Sequence, residues 1–170
     1  VSHPKLGSIG VAYYTGTYNT WRVEGDGVDD KRGLRILTLD VAASAGSVNL
    51  VGEAALAWID VPAGLATLHG DRQQGAFLDV IYPFYQGTLG SLRTAIISAS
   101  VRLEYADMNV GSFQGGGNIE DEQTAVALGF SLRPNSETVF KLNYRYHWQD
   151  DLLGNPSRLA GVQAGFATYF

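Results

Sequence analysis

Residues 138–150, TVFKLNYRYHWQD, alternate with a period of two. Phe140, Leu142, Tyr144, Tyr146 and Trp148 fall on one side; Lys141, Asn143, Arg145, His147 and Gln149 fall on the other. Successive side chains of a strand point to opposite faces, so this stretch has one aromatic face and one cationic, hydrogen-bonding face. The alternation recurs along the chain, and helical spacing is hard to find. It predicts about eight strands, at 6–18, 33–46, 48–60, 74–86, 93–107, 122–132, 138–149 and 159–170.

The connectors sort into two kinds that take turns. NTWRVEGDGVDDKR, VPAGLATLHGDR, MNVGSFQGGGNIED and DLLGNPSR are long and rich in Gly, Pro, Asp and Asn; AGS, QGTLGS and RPNSE are shorter. The pattern describes one all-β domain over residues 1–170, an antiparallel up-and-down β-barrel with long loops at one rim and tight turns at the other. Transmembrane β-barrels of the outer-membrane type have that asymmetry.

Three features put the apolar face on the outside of such a barrel. Trp21, Trp58, Tyr105 and Trp148 sit near the long-loop ends of their strands, and Tyr82, Phe84, Phe140 and Phe170 near the short-turn ends. Two aromatic bands fit the two interfaces of a bilayer. The other face carries Asp40, Glu53, Asp79, Arg102, Glu104, Lys141, Arg145 and His147 among small residues. A soluble exterior would be denser in Lys and Glu, whereas sparse charges of both signs suit a narrow polar lumen. The last strand, LAGVQAGFATYF, places Val162, Ala164, Phe166, Thr168 and Phe170 on one face.

On this final segment the chain resembles the bacterial outer-membrane β-barrel family, whose last strand is amphipathic and ends in Phe. The resemblance implies that Phe166 and Phe170 carry the signal read by the barrel-insertion machinery; Thr168 departs from the usual apolar residue. It also implies a bacterial outer-membrane location, with outer-membrane lipid and lipopolysaccharide as partners and self-association left open. The strand TVFKLNYRYHWQD, a loop and a Phe-terminated strand together resemble the end of a larger porin. The chain therefore reads as either a whole eight-stranded barrel or the C-terminal part of a 16- or 18-stranded one. Ile36, Val51, Ile59, Phe77, Ile81 and Ile96 share the polar face by parity, which favours a filled small barrel or a plugged pore.

Composition narrows the functions. Charged residues make up 17% of the chain, below the roughly 25% of an ordinary soluble domain. The net charge of −5 leaves no basic stripe for nucleic acid. With no cysteine, thiol chemistry and zinc knuckles are excluded. No run approaches the ~18 apolar residues of a membrane-spanning helix. VSHPKLGSIG has neither an initiator Met nor the pattern of a signal peptide, which suggests a processed form or a piece of a longer protein.

The expected function is a porin-like channel for passive diffusion of small hydrophilic solutes, biased by Arg102, Lys141 and Arg145 against Asp79 and Glu104. The plainer reading of those charges is an internal ion-pair network with Asp40, Glu53, Asp79 and Glu104. A closed barrel with a structural or adhesive role through its long loops is the alternative, and a lipid-modifying enzyme is third. Catalysis lacks support: His147 lies near Asp150 and Asp151, but parity places no Ser beside them. Glu24, Asp26, Asp29 and Asp30 crowd the first long loop without the spacing of an EF-hand. No metal and no cofactor is expected.

Overall fold

A computed structural model describes residues 2–3, 7–18, 22–23, 26–27, 30–62, 65, 69–113 and 116–169. It contains β1 (Ser2–His3), β2 (Gly7–Tyr18), β3 (Arg22–Val23), β4 (Asp26–Gly27), β5 (Arg32–Ala45), β6 (Val48–Ile59), β7 (Arg72–Leu89), β8 (Leu92–Val110), β9 (Glu122–Arg133), β10 (Thr138–Asp150) and β11 (Pro156–Thr168). One antiparallel sheet runs β1-β2-β5-β6-β7-β8-β9-β10-β11, and β3 pairs with β4 separately. The eight long strands thus lie side by side in chain order, an up-and-down arrangement at the places the alternation predicts.

The largest difference in length is the β7–β8 hairpin. QGTLGS reads as a connector because of its Gly and Ser, yet pairing continues to Leu89↔Leu92, leaving a two-residue turn at Gly90 and Ser91. Gly90 has φ 60°, and Gly46 in the β5–β6 turn has φ 61°. A two-residue hairpin matching the strand twist needs such a positive φ, and glycine adopts it without steric cost. Pro83 lies inside β7, where it has no N–H to donate. The β6–β7 ladder ends at Asn49↔Ile81, and the β7–β8 register shifts between Pro83 and Tyr85. Proline therefore sits where one neighbour is missing and a bulge begins.

The register fixes which residues share a face. One row across the sheet is Val51, Asp79, Arg102, Ala127, Arg145 and Gly161; the adjacent row holds Asp40, Glu53, Phe77, Glu104, Ala125 and His147. The opposite face carries rows such as Val80, Val101, Leu128, Tyr144 and Val162. A single cavity of about 570 Å³ touches side chains from Asn49 on β6 to Gln163 on β11, so the polar face is the concave one.

The described residues build no hydrocarbon interior. Among the described residues the buried hydrophobic ones are Ala95, Ile119 and Ala125, and no large side chain is fully buried. Val11, Leu103, Leu128, Phe130, Leu142, Val162 and Phe166 are all exposed on the convex face, Phe166 at 73%. The aromatic bands are visible there too. Trp148 and Tyr105 flank Thr124 in one row, and Phe140 pairs with Phe166 near the other end, ring centroids 6.2 Å apart. Trp58 shares this face, as does Tyr82, and half-exposed Phe84 falls at the bulge. Trp21 and Phe170 lie outside the described residues.

The closure expected of a whole eight-stranded barrel is not found. Among the described residues no ladder joins β2 to β11; the sheet ends at the two-residue β1, paired with the start of β2, and at β11. Every residue of β11 from Pro156 to Ala167 is exposed, which leaves both of its faces and one backbone edge uncovered. Eight strands enclose a space just wide enough to be filled by side chains. Here the concave face lines a cavity of about 570 Å³, with Arg102 and Arg145 among the side chains on its wall.

Candidate functional site

The concave face is built around two arginines. Asp79 and Arg102 are directly opposed on β7 and β8, so their side chains leave the sheet together. Arg102 donates from Nε to Asp79 Oδ1 at 2.7 Å and from Nη2 to Oδ2 at 2.6 Å, a fork that only a guanidinium supplies. Its Cζ lies 4.4 Å from the ring centroid of Phe77, so the cation is held from a second side. Phe77, an apolar residue stranded on the polar face by parity, thus has a role in holding charge.

Arg145 reaches further. It starts on β10 and crosses β9 to Glu104 on β8, donating to Oε2 from Nε at 3.0 Å and Nη2 at 2.6 Å. It can do so because β9 presents only Ala125 and Ala127 on this face between the two strands. Ala125 is 1% exposed. The Arg145 Nη1 donates to His147 Nδ1 at 2.7 Å, which makes Nδ1 the acceptor and puts the imidazole proton on Nε2. Glu104 also lies 3.8 Å from Arg102, linking both pairs into one chain of charges. His147 is therefore occupied by Arg145 rather than by a serine.

The structure divides the expected charged residues into three groups. Asp79, Arg102, Glu104, Arg145 and His147 come together in the network. Asp40 and Glu53 face each other on β5 and β6, two exposed carboxylates that join none of its ion pairs. Lys141 stands apart, opposite Ser131. Arg133, which the alternation does not single out, lines the same cavity. Of the acidic first loop, Glu24 and Asp29 lie outside the described residues. Among the described residues no group of His, Asp or Glu is placed to hold a metal ion.

At the long-loop rim, residues 111–113 and 116–121 fold back on β8. Ser112 bridges to Asn118, Ile119 is buried, and its N–H donates to Gly111 O at 3.1 Å. Buried Asn109 fastens two loops: its Oδ1 accepts from Gly70 N at 3.1 Å, and its Nδ2 donates to Asp121 Oδ2 at 3.0 Å. Asn109 was invisible in the alternation because its part is to satisfy loop backbone, which has no period.

The last long loop is organised by Asp151. Its Oδ1 accepts from the N–H groups of Leu153 and Asn155 at 2.9 Å each, and Oδ2 accepts from Asn155 Nδ2 at 2.8 Å. The side-chain bond from Asn155, then the two backbone bonds, hold the Asp151 carboxyl below the usual aspartate range. A depressed folded pKa gives a contribution that is present above the unfolded value and lost as pH falls through the folded one. Amide exchange at Leu153 and Asn155 is therefore expected to be flat across neutral pH and to accelerate, after correction for intrinsic exchange, in acid below the ordinary aspartate pKa. Asp151→Ala should show the fast rate at every pH.

Comparison with protein-family models, curated proteins and solved structures returned no match to this chain.

Proposed function

We propose that this sheet is wall of a transmembrane β-barrel of the outer-membrane type, and that its concave face lines an aqueous passage for small hydrophilic solutes. The supporting observation is the inverted distribution of side chains: aliphatic and aromatic residues exposed on the convex face, paired ions on the concave face, and no core between layers. A soluble domain needs buried hydrocarbon to offset the entropy of ordering its chain. Here only a surrounding apolar solvent supplies that burial. The lipid-facing surface would contact outer-membrane lipid and lipopolysaccharide, with Phe166 and Phe170 as the insertion signal. In this reading the β2 and β11 edges are paired within the barrel wall, since unsatisfied backbone is not tolerated in hydrocarbon.

Purified protein added to a planar lipid bilayer is expected to give discrete steps of ion conductance. A bilayer that stays silent at high protein load would remove the passage. A role for the long loops in surface contact is the second reading, and the fastening of two loops by Asn109 favours it.

A further inference from the structure

The charge of the concave cavity is opposite to that of the protein. The chain has a net charge of −5, yet the cavity is lined by Arg102, Arg133, Lys141 and Arg145 against Asp79 and Glu104 alone. Both carboxylates are already engaged, Asp79 by Arg102 and Glu104 by Arg145. Each arginine is thereby neutralised locally and adds little field of its own. The excess positive charge belongs to the other two cations.

Lys141 and Arg133 are exposed, and among the described residues neither side chain enters an ion pair or hydrogen bond. The register brings them together. Lys141 is opposite Ser131, and Arg133 is two residues further along the same face of β9. Such diagonal positions lie ~7–8 Å apart, close enough for two long side chains to meet one ion. Ser98, Ser131, Asn143 and Gln163 line the same region. Their hydroxyls and amides can donate hydrogen bonds and add no negative charge.

We propose that Lys141 and Arg133 form an anion-attracting site at the short-turn end of the concave face, and that it selects small inorganic anions over cations. The inference rests on the passage proposed above and names what that passage prefers. A unit charge held a few ångströms from a passing ion in water shifts its population roughly fivefold. Asp40 and Glu53, the other carboxylates of this face, lie on β5 and β6 outside the lining of this cavity, so within it two unneutralised cations outweigh the closed Asp79–Arg102 and Glu104–Arg145 pairs.

The test is the reversal potential of single channels in a potassium chloride gradient. Wild-type protein is expected to pass chloride several-fold better than potassium near 0.1 M salt. The preference should shrink toward 1 M, where the screening length falls from ~10 Å to ~3 Å. The double variant Lys141→Gln, Arg133→Gln should conduct with a ratio near one, Lys141→Glu, whose new carboxylate balances Arg133, should do the same, and Lys141→Arg should retain the chloride preference. A conducting wild-type channel that shows no chloride preference overturns the anion site and leaves the passage standing. So does a conducting double variant with an unchanged ratio. A wild-type bilayer without conductance overturns both. The salt dependence of the wild type requires no variant, so a substitution that prevents insertion does not rescue the proposal.

Discussion

Leu128→Arg is expected to destabilise the membrane-inserted protein by about 2–4 kcal/mol, the range for an arginine at the bilayer midplane on the lipid face of a barrel. Leu128 is 52% exposed on the convex face. Its row contains Val101 and Tyr144, midway between the rows of Phe140 and Trp148. A guanidinium there has no carboxylate within its row and is too far from either aromatic band to reach water easily. Asn143→Lys, one residue from Tyr144 but on the concave face, is expected to change stability by less than about 0.5 kcal/mol. Urea titration of protein refolded into lipid vesicles, followed by heat-modifiable gel migration, measures both. If the convex face met water instead, Leu128→Arg would be neutral or would improve solubility, and the membrane reading would fall.

Glu104→Gln should have the second largest effect. The carboxylate accepts two hydrogen bonds from Arg145 and lies 3.8 Å from Arg102. Replacing it leaves Arg145 with an amide oxygen and removes the charge that joins the two pairs. Breaking a well-buried ion pair costs ~3–5 kcal/mol, but the Glu104 and Arg145 side chains are about a quarter exposed, 25% and 26%. Solvent screening reduces the expected loss to about 1–3 kcal/mol. Arg145→Gln alone should cost a similar amount, and the double variant much less than their sum. Additive losses in the same vesicle titration would show that the 2.6 Å contact contributes no coupling.

The strands and their faces were legible in the sequence because a period of two needs no distant information. The rows of Leu142, Tyr144 and Val162 on one side and of Asp79, Arg102 and Arg145 on the other follow from alternation and register alone. The partners were legible only by class. That Asp79 takes Arg102 depends on register between β7 and β8. That Arg145 takes Glu104 depends on the alanines of β9, which look featureless along the chain. Asp40 and Glu53 were expected to neutralise a cation and instead face each other, because their cross-strand neighbours are Gly10 and Phe77. Phe77, placed on the wrong face for an apolar residue, was the visible hint of the cation it holds. Arg133 stands at the end of β9, where parity is least certain. Whether the eight strands close on themselves was left open between a whole barrel and part of a larger one, since curvature is a sum of small twists and bulges that no single segment encodes.

Having no interior changes how such a protein bears substitution. In a packed globule, trimming a leucine leaves a void whose rigid walls add a penalty beyond simple transfer. On the convex face described here, fluid acyl chains would close around a shortened side chain. Only the transfer contribution would remain, roughly 0.8 kcal/mol for each methylene withdrawn. Shape complementarity then imposes almost nothing on those positions, and oiliness alone is under constraint. In lipid such a surface would be free to drift among Leu, Val, Ile and Phe, while the ionic face across the sheet would have to keep its pairing.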